Sequence, residues 1–355
     1  MSSHLHGLAT ALPPHALPQD RVKTAADEIF GGRYPGYARI SPAFDNAGID
    51  CRYSVVPEDW LRRAQGWPER SAAFLAGAGD LFVAAAGRAL DAAGWAPHEV
   101  DCVVTVCSTG IATPSLEAQV FGRMGFRADI RRVPVFGLGC AGGVSGLALA
   151  QALAEADPAT RVLLVVVETC TLAFRFDRLR KADIIAAALF GDGAAAACLS
   201  GAQPPDGPCV TLGRGVQRTW PDTLDIMGWE VDETGFGVVF DRAIPGFVAA
   251  EFADATDAAL GQAGLRRDGI DRVVCHPGGA KVIAAIETAL DLPEGRLDAE
   301  RATLRRAGNM SAPTVLFVLE EVLAAGGRGQ MLACALGPGF TASFLPLLVT
   351  DGGGA

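Results

Sequence analysis

The feature that most constrains the fold is an abrupt change from an apolar run to a helical pattern at Cys140. The apolar run at residues 133–138 ends at Gly139, and two glycines follow Cys140 before an Ala- and Leu-rich pattern at 144–154. This order predicts a buried strand that turns directly into a helix. Backbone N–H groups at a helix start lack intrahelical partners and carry partial positive charge. We therefore expect the thiol of Cys140 to have a lowered pKa.

The glycines around Cys140 favour a chemical role for it. A free cysteine most often packs as a small hydrophobic residue, and that interpretation suits most of the other cysteines. Gly139, Gly142 and Gly143 would instead let a substrate approach and would permit unusual φ angles. We predict that Cys140 is a nucleophile.

Composition narrows the class of protein. Half of the 355 residues are hydrophobic, a fifth are charged, and the formal net charge is −10. Such an acidic chain disfavours nucleic acid and anionic membranes as main partners. The nine cysteines show no paired spacing, the first residues lack an apolar signal core, and no apolar run approaches the roughly 20 residues that span a bilayer. We expect a reduced, cytoplasmic protein without an integral membrane segment.

Alternating strand and helix patterns predict an α/β chain made of two similar halves, which we place at residues 1–211 and 212–355. The strands predicted in the first half lie at 5–12, 101–107, 161–168 and 194–199. Besides the strand and helix around Cys140, helices are predicted in this half at 19–30, 69–93, 115–124 and 186–191. In the second half, strands are predicted at 210–216, 237–240 and 271–276, helices at 245–263, 280–290 and 312–325, and a hairpin-like pair of strands at 330–336 and 342–349.

Two polar residues of the second half complete a candidate catalytic set. His276 ends an apolar strand, and the Pro-Gly-Gly that follows would expose its ring at a loop. Asn309 stands just before a helix, where the local sequence favours an N-cap role. Cysteine, histidine and asparagine at three loop tips could supply a nucleophile, a base and a hydrogen-bond donor. Spacing alone leaves open whether the three meet.

The motifs around these residues resemble those of the type III polyketide synthases, the chalcone-synthase-like branch of the thiolase superfamily. The matching motifs, in order, are Gly-Leu-Gly-Cys140-Ala-Gly-Gly, Ala188-Leu-Phe190-Gly-Asp-Gly193, His276-Pro-Gly-Gly, Gly308-Asn309-Met-Ser and Gly337-Pro-Gly-Phe-Thr341. Ketoacyl synthases share the cysteine, histidine and asparagine, but their histidine motif differs. The resemblance implies a thiolase-like fold, in which two similar α/β halves form a five-layer αβαβα sandwich, and a homodimer.

The resemblance also implies a reaction and roles for the residues. Cys140 would accept an acyl group from acyl-CoA, and His276 and Asn309 would stabilise the enolate that malonyl-CoA forms as it loses CO2. No metal and no cofactor is implied, because the CoA thioesters are substrates. Arg52 is expected to bind CoA. The implied substrate-binding residues are Phe190, Ala173, Val238, Ser311, Cys170 and Thr109.

Differences in sequence from the plant members of the family indicate the size of the starter acyl group. Plant chalcone synthases carry Thr where this chain has Ala173 and Phe at the position of Val238, so both changes would enlarge the cavity. The segments Thr-Gly-Ile-Ala-Thr-Pro114 and Met227-Gly-Trp229 are similar to bacterial members that make alkylresorcinols or alkylpyrones. We expect a fatty acyl starter and a resorcinol or pyrone product. The alternatives are a chalcone- or phloroglucinol-type synthase with a small starter, a non-catalytic acyl-CoA-binding paralogue, and a papain-like hydrolase.

Overall fold

The structure is a computed structural model that describes residues 3–204, 207–241 and 243–351. Its strands are β1 (Ser3–Ala11), β2 (His15–Pro18), β3 (Cys51–Ser54), β4 (Cys102–Val106), β5 (Arg131–Val135), β6 (Val162–Thr169), β7 (Asp192–Ser200), β8 (Cys209–Leu212), β9 (Val216–Thr219), β10 (Met227–Asp232), β11 (Gly235–Phe240), β12 (Arg272–Cys275), β13 (Gly329–Gly337) and β14 (Thr341–Thr350). Its α-helices are α1 (Gln19–Phe30), α2 (Pro42–Asp45), α3 (Glu58–Leu61), α4 (Trp67–Ala93), α5 (Leu116–Gln119), α6 (Phe121–Met124), α7 (Gly142–Ala156), α8 (Lys181–Leu189), α9 (Ile244–Gln262), α10 (Ala280–Leu290), α11 (Asp298–Ala307) and α12 (Thr314–Ala324).

Most strands belong to one ten-stranded sheet. Its order is β12-β13-β14-β8-β1-β7-β6-β4-β5, with β9 paired to β14. Strand β8 joins the two halves, because residues 210–212 pair with β1 and residues 209–212 pair with β14. The pairs β4–β5, β4–β6 and β12–β13 are parallel. Two further antiparallel strand pairs, β2–β3 and β10–β11, lie outside this sheet.

Side chains that point alternately to the two faces of the first-half strands separate two hydrophobic layers. Successive strand residues point to opposite faces of a sheet. Val103 and Leu163 therefore pack with the residues of α4 on one side. Their neighbours Val104 and Leu164 pack with α7 and α12 on the other side. The first half of the sheet is thus covered on both faces.

The second half repeats this arrangement. Met331 and Ala333 of β13 belong to the cluster that contains α7 and α12. The alternate residues Leu332 and Cys334 pack with α9 and α10. Helix α4 therefore covers the outer face of the first half of the sheet, and α9 and α10 cover the outer face of the second half. Helices α7 and α12 lie between the two halves. This order confirms the predicted αβαβα sandwich and places α7, which follows Cys140, in the central layer.

Several predicted elements are confirmed and others need correction. Helices 19–30 and 280–290 have the predicted bounds, and β13 and β14 form the predicted antiparallel pair. The predicted helix 115–124 is two short helices, because Val120 leaves the helical conformation between them. The predicted strand 210–216 is divided between β8 and β9. The predicted division after residue 211 falls inside β8 and stays a prediction.

Helix α4 is the one described helix that is long and apolar enough, by length and composition, to cross a membrane. Its apolar residues have another explanation in the fold. Phe82, Ala85 and Ala89 are fully buried and belong to the cluster that α4 forms with the first half of the sheet. The helix therefore has the packing of a core helix.

The glycines after Cys140 serve packing between helices rather than the predicted substrate access. A Cβ added at Gly143 would lie 2.2 Å from the carbonyl oxygen of Ala312 and 2.7 Å from Cγ1 of Val315. Gly143→Ala is therefore expected to destabilise the fold by about 1–3 kcal/mol, as overpacked cores are. Urea unfolding measures this change.

A matched control for that prediction lies on α4. Gly87 is helical, and an added Cβ would meet nothing within 4 Å. Gly87→Ala should therefore stabilise the protein by roughly 0.5–1 kcal/mol, because alanine favours a helix over glycine. A Gly143→Ala protein as stable as the wild type would show that α7 and α12 can separate freely.

Candidate active site

Cys140 lies in a short 3-10 turn, Gly139–Ala141, that leads directly into α7. The turn is anchored from the loop after β4, because the N–H of Gly139 donates a hydrogen bond to Oγ of Ser108 at 3.0 Å. The side chain of Cys140 is buried, at 7% exposure. The structure thus places the predicted nucleophile at the helix start that the sequence indicated.

The environment of the Cys140 thiol is less polar than the sequence suggested. Burial raises its pKa to about 12, although its hydrogen bond with Ser311 acts in the opposite direction. Sγ of Cys140 lies 3.5 Å from Oγ of Ser311. The prediction of a lowered pKa was therefore wrong, because burial removes the hydration that stabilises the charged thiolate. The thiol must lose its proton to a nearby base before it can attack.

His276 is the residue predicted to act as that base. It follows β12, and its backbone N–H donates to the carbonyl of Cys334 at 2.9 Å. The ring is buried, and both Nδ1 and Nε2 lack a hydrogen-bond partner within the described ranges. Burial lowers the pKa of His276 to about 3. The imidazole is therefore neutral at neutral pH, with one nitrogen that carries a hydrogen and one that carries a free lone pair.

The side chain of Asn309 is fixed at both of its polar atoms. Oδ1 accepts a hydrogen bond from the N–H of Ser311 at 2.7 Å, and Nδ2 donates to the carbonyl of Gly278 at 3.0 Å. An amide nitrogen has two hydrogens, so one remains for a ligand. The N-cap interpretation was wrong, because α12 begins five residues later, at Thr314.

One cavity collects the three candidate catalytic residues. It is lined by Cys140, Met227, Phe240, Ile244, Phe252, His276, Gly278, Val282, Ile286, Asn309, Cys334, Ala335 and Leu336. Cys140, His276 and Asn309 come from distant parts of the chain. The contact of α7 with α12 brings Cys140 near Asn309, and β13, which pairs with β12 and contacts the Cys140 turn, brings His276 to the same place. The fold therefore answers the question that sequence spacing left open.

A second cavity lies beside the first and shares Cys140, Met227 and Phe240 with it. Its lining is Ser108, Thr109, Gly139, Cys140, Cys170, Phe190, Met227, Gly228, Trp229, Val238, Val239, Phe240, Ser311 and Pro338. All but one of the expected substrate-binding residues are in this set. The exception is Ala173, which is buried at 4% exposure and is not among the described residues that line either cavity.

Much of the second cavity is formed by the hairpin β10–β11, of which the sequence predicted only the second strand. Met227 and Trp229 face the cavity from β10, and Val238 faces it from β11. The indole Nε1 of Trp229 donates to the carbonyl of Ser108 at 2.8 Å. This bond ties the hairpin to the loop that anchors the Cys140 turn. The hairpin thus forms one wall of the site.

Sequence reasoning also missed Glu168, a fully buried acid behind the second cavity. It accepts hydrogen bonds from Oγ1 of Thr109 at 2.7 Å and from the N–H of Ser108. Burial raises its pKa to about 7. A single acid at the end of an apolar strand is the signal that could have identified it. Glu168 orients the hydroxyl that Thr109 presents at the cavity.

The prediction that Arg52 binds CoA is contradicted by its position. Its side chain is fully buried, so a CoA phosphate in solvent cannot reach its guanidinium. Nη1 instead donates to the carbonyls of Ala187 at 2.6 Å and Phe190 at 2.8 Å. The error arose because the chain position of an arginine does not reveal whether its side chain points outward.

Among the described residues, no group of three or more His, Cys, Asp or Glu side chains could hold a metal ion.

A five-layer αβαβα sandwich with cysteine, histidine and asparagine on one cavity defines a thiolase-like condensing enzyme. The chain belongs to the chalcone and stilbene synthase family, because the models of the family's N-terminal and C-terminal domains match residues 57–204 and 211–350. It is therefore a type III polyketide synthase, an acyltransferase that joins acyl units by decarboxylative Claisen condensation.

Individual relatives support this assignment over almost the whole chain. The chain is 38% identical to the 1,3,6,8-tetrahydroxynaphthalene synthase of Streptomyces peucetius subsp. caesius, over 95% of this chain and 91% of the relative. It is 32% identical to a putative chalcone synthase of Bacillus subtilis, over 95% and 96%. The structure superposes on the crystal structure of 1,3,6,8-tetrahydroxynaphthalene synthase from Streptomyces coelicolor A3(2) with a TM-score of 0.93, 27% identity and coverage of 98% and 100%.

Proposed function

We propose that Cys140, His276 and Asn309 perform acyl loading, malonyl-CoA decarboxylation and condensation in one cavity. The observation that carries this proposal is that all three line the same cavity. In the loading step, His276 takes the proton of the Cys140 thiol, and the thiolate attacks the thioester carbonyl of the acyl-CoA. The carbon–sulfur bond to CoA breaks, and the CoA thiolate leaves with the proton from the imidazolium.

In the extension step, malonyl-CoA loses CO2 as its carbon–carbon bond breaks, and negative charge develops on its thioester oxygen. A ring N–H of His276 and the remaining N–H of Asn309 donate hydrogen bonds to that oxygen. The enolate carbon then attacks the acyl thioester on Cys140. The new carbon–carbon bond forms as the Cys140 thiolate leaves, and the chain grows by two carbons.

For the product, we propose a polyhydroxylated aromatic built from malonyl-CoA on a small starter. The support is the identity to three Streptomyces relatives named 1,3,6,8-tetrahydroxynaphthalene synthases. That compound carries no alkyl chain, so its synthesis needs no space for a fatty acyl group. The residue expected to open such a space, Ala173, is not among the described residues that line the cavities.

A fatty acyl starter with a resorcinol or pyrone product is the second candidate. It is favoured by the apolar wall that Met227, Trp229 and Val238 give to the second cavity. Burial of each CH2 group on such a wall is favourable by roughly 0.8 kcal/mol.

A starter panel separates the two candidates. The wild type is incubated with malonyl-CoA alone, and with malonyl-CoA plus acetyl-, octanoyl- or palmitoyl-CoA, and the products are identified by mass spectrometry. We expect an aromatic product from malonyl-CoA alone that long-chain acyl-CoAs do not enhance. Products that form only with a long-chain acyl-CoA and carry its alkyl chain would contradict the small-starter proposal and support the fatty acyl starter.

We further propose a homodimer in a reducing, cytoplasmic compartment. Strand β5 is at the edge of the sheet, and exposed Phe136 and Ile111 lie beside it, in the loops that follow β5 and β4. Apolar side chains at an open sheet edge favour a protein interface. All nine cysteines, each within the described ranges, are free thiols. Sedimentation of the purified protein measures the oligomeric state.

A further inference from the structure

We propose that Arg52 is a positioning residue that holds Phe190 and Asn309 in their working positions. The proposal rests on the proposed function, because the role of Asn309 as a hydrogen-bond donor to the enolate belongs to it. Arg52 lies on β3, far from the nucleophile in sequence, and its buried Nη1 donates to the carbonyls of Ala187 and Phe190. It thus holds the end of α8, the helix that leads to Phe190.

Four carbonyls at the C-terminal end of α8 have partners from three distant segments. Arg52 bonds those of residues 187 and 190. Nε2 of Gln19 donates to the carbonyl of Ala188 at 3.0 Å, and the N–H of Asn309 donates to that of Leu189 at 3.0 Å. A helix end leaves such carbonyls unpaired and carries partial negative charge, so a cation stabilises it. Arg52 supplies the positive charge among these donors.

The same helix end is coupled to the backbone of Asn309. Phe190 and Asn309 form a parallel bridge, in which the N–H of Gly191 also donates to the carbonyl of Asn309 at 2.9 Å. A displacement of the Phe190 carbonyl therefore moves Asn309, whose side chain lines the first cavity. Arg52 contacts one side of this bridge through its hydrogen bonds.

The aliphatic part of Arg52 contacts the other side of the bridge. A Cβ added at Gly308 would lie 2.5 Å from Cγ and 2.8 Å from Cδ of Arg52, and Gly308 has a φ of +70°. Glycine is required there both by this close approach and by the left-handed backbone. Arg52 is thus packed between Phe190 and the residue before Asn309, in contact with both.

The charge of Arg52 fits this role better than simple packing. Nε and Nη2 have no hydrogen-bond partner within the described part of the chain. A buried charge without full pairing is unfavourable, and an apolar side chain of the same volume often stabilises such a site. A methionine could therefore fill the space while losing the contacts that hold the two carbonyls. Arg52→Met therefore distinguishes the two roles, because it keeps the packing of the side chain and removes the hydrogen bonds that position the carbonyls.

Three variants test the inference: Arg52→Met, Arg52→Lys and, as a matched control, Gln19→Leu, which removes another donor to the same helix end. Each is assayed for Cys140 acylation by intact-mass kinetics, for CO2 release from malonyl-CoA, and for thermal stability. We expect Arg52→Met to lower the ratio of decarboxylation to acylation at least tenfold. Arg52→Lys should lower it about threefold, because lysine is shorter and lacks the planar fork. Gln19→Leu should keep the wild-type ratio, because the carbonyls of Ala187 and Phe190 retain their bonds to Arg52.

The outcomes distinguish this inference from the proposed function. An unchanged ratio in Arg52→Met, or an equal fall in Gln19→Leu, would show that Arg52 only stabilises the fold. If Arg52→Met does not fold, Arg52→Lys decides, and a wild-type ratio there would overturn the inference. A wild-type enzyme that releases no CO2 from malonyl-CoA would instead refute the proposed function.

Discussion

Cys140→Ala is expected to abolish covalent acylation while measurable malonyl-CoA decarboxylation remains. The thiolate of Cys140 is the only atom assigned to hold the growing chain, whereas the two donors to the enolate are on His276 and Asn309. Alanine is smaller than cysteine and leaves the cavity open, so malonyl-CoA can still reach those donors. Product formation should fall to background, because the condensation needs an acyl thioester on the enzyme.

Intact-mass spectrometry after incubation with acyl-CoA tests this expectation directly. The wild type should gain the mass of one acyl group, and Cys140→Ala should gain none. Cys170→Ala is the matched control, since Cys170 is also buried and lines the second cavity beside Cys140. The Cys170→Ala protein should still gain the mass of one acyl group. An adduct that persists in Cys140→Ala and disappears in Cys170→Ala would move the nucleophile to Cys170.

Local sequence was sufficient for the elements that place the nucleophile and the base. The change of pattern around Cys140 predicted a turn into a helix, and the structure has one there. The apolar strand that ends in Pro-Gly-Gly predicted the position of His276 at the end of β12. Both signals depend on neighbours in the chain, and such neighbours determine secondary structure and its ends.

Properties that depend on burial could not be obtained from the sequence. The pKa of Cys140 is raised rather than lowered because the fold removes water from the thiol. The contact of Arg52 with Phe190 joins residues far apart in the chain, and no spacing rule predicts it. Ala173 and Val238 both matched family positions, yet only Val238 lies on a cavity lining. Helix α11 was missed because its sequence is mostly polar, and two of the four residues on its buried face are Glu300 and Thr303.

Asn309 shows how local and tertiary evidence can disagree. A residue before a helix is commonly an N-cap, and the sequence favoured that role. In the structure, Thr314, the first residue of α12, ties the helix to the turn before it, since its Oγ1 accepts from the N–H of Met310 at 3.0 Å and donates to the carbonyl of Ser311 at 2.8 Å. The amide of Asn309 instead bridges Ser311 and Gly278 at the cavity.

The last prediction follows from the position of the Asn309 amide at the cavity rather than at a helix N-cap. Asn309→Ala should lower CO2 release from malonyl-CoA by about a hundredfold or more, as loss of one donor to a developing oxyanion does. It also leaves the N–H of Ser311 and the carbonyl of Gly278 without their partners, so we expect a loss of about 1–3 kcal/mol in folding stability. The protein should still fold, and Cys140 should still acylate, because the thiol and the imidazole are unchanged.

Thr314→Val provides the matched control for Asn309→Ala. It preserves the shape of the side chain and removes both hydrogen bonds of the Thr314 hydroxyl, so its loss of stability should be similar. Its rate of decarboxylation should stay within a few-fold of the wild type, because the amide of Asn309 remains. Urea unfolding and CO2 release are measured on the same preparations. If Asn309→Ala is as active as Thr314→Val at equal stability, Asn309 supports the turn and does not act on the enolate.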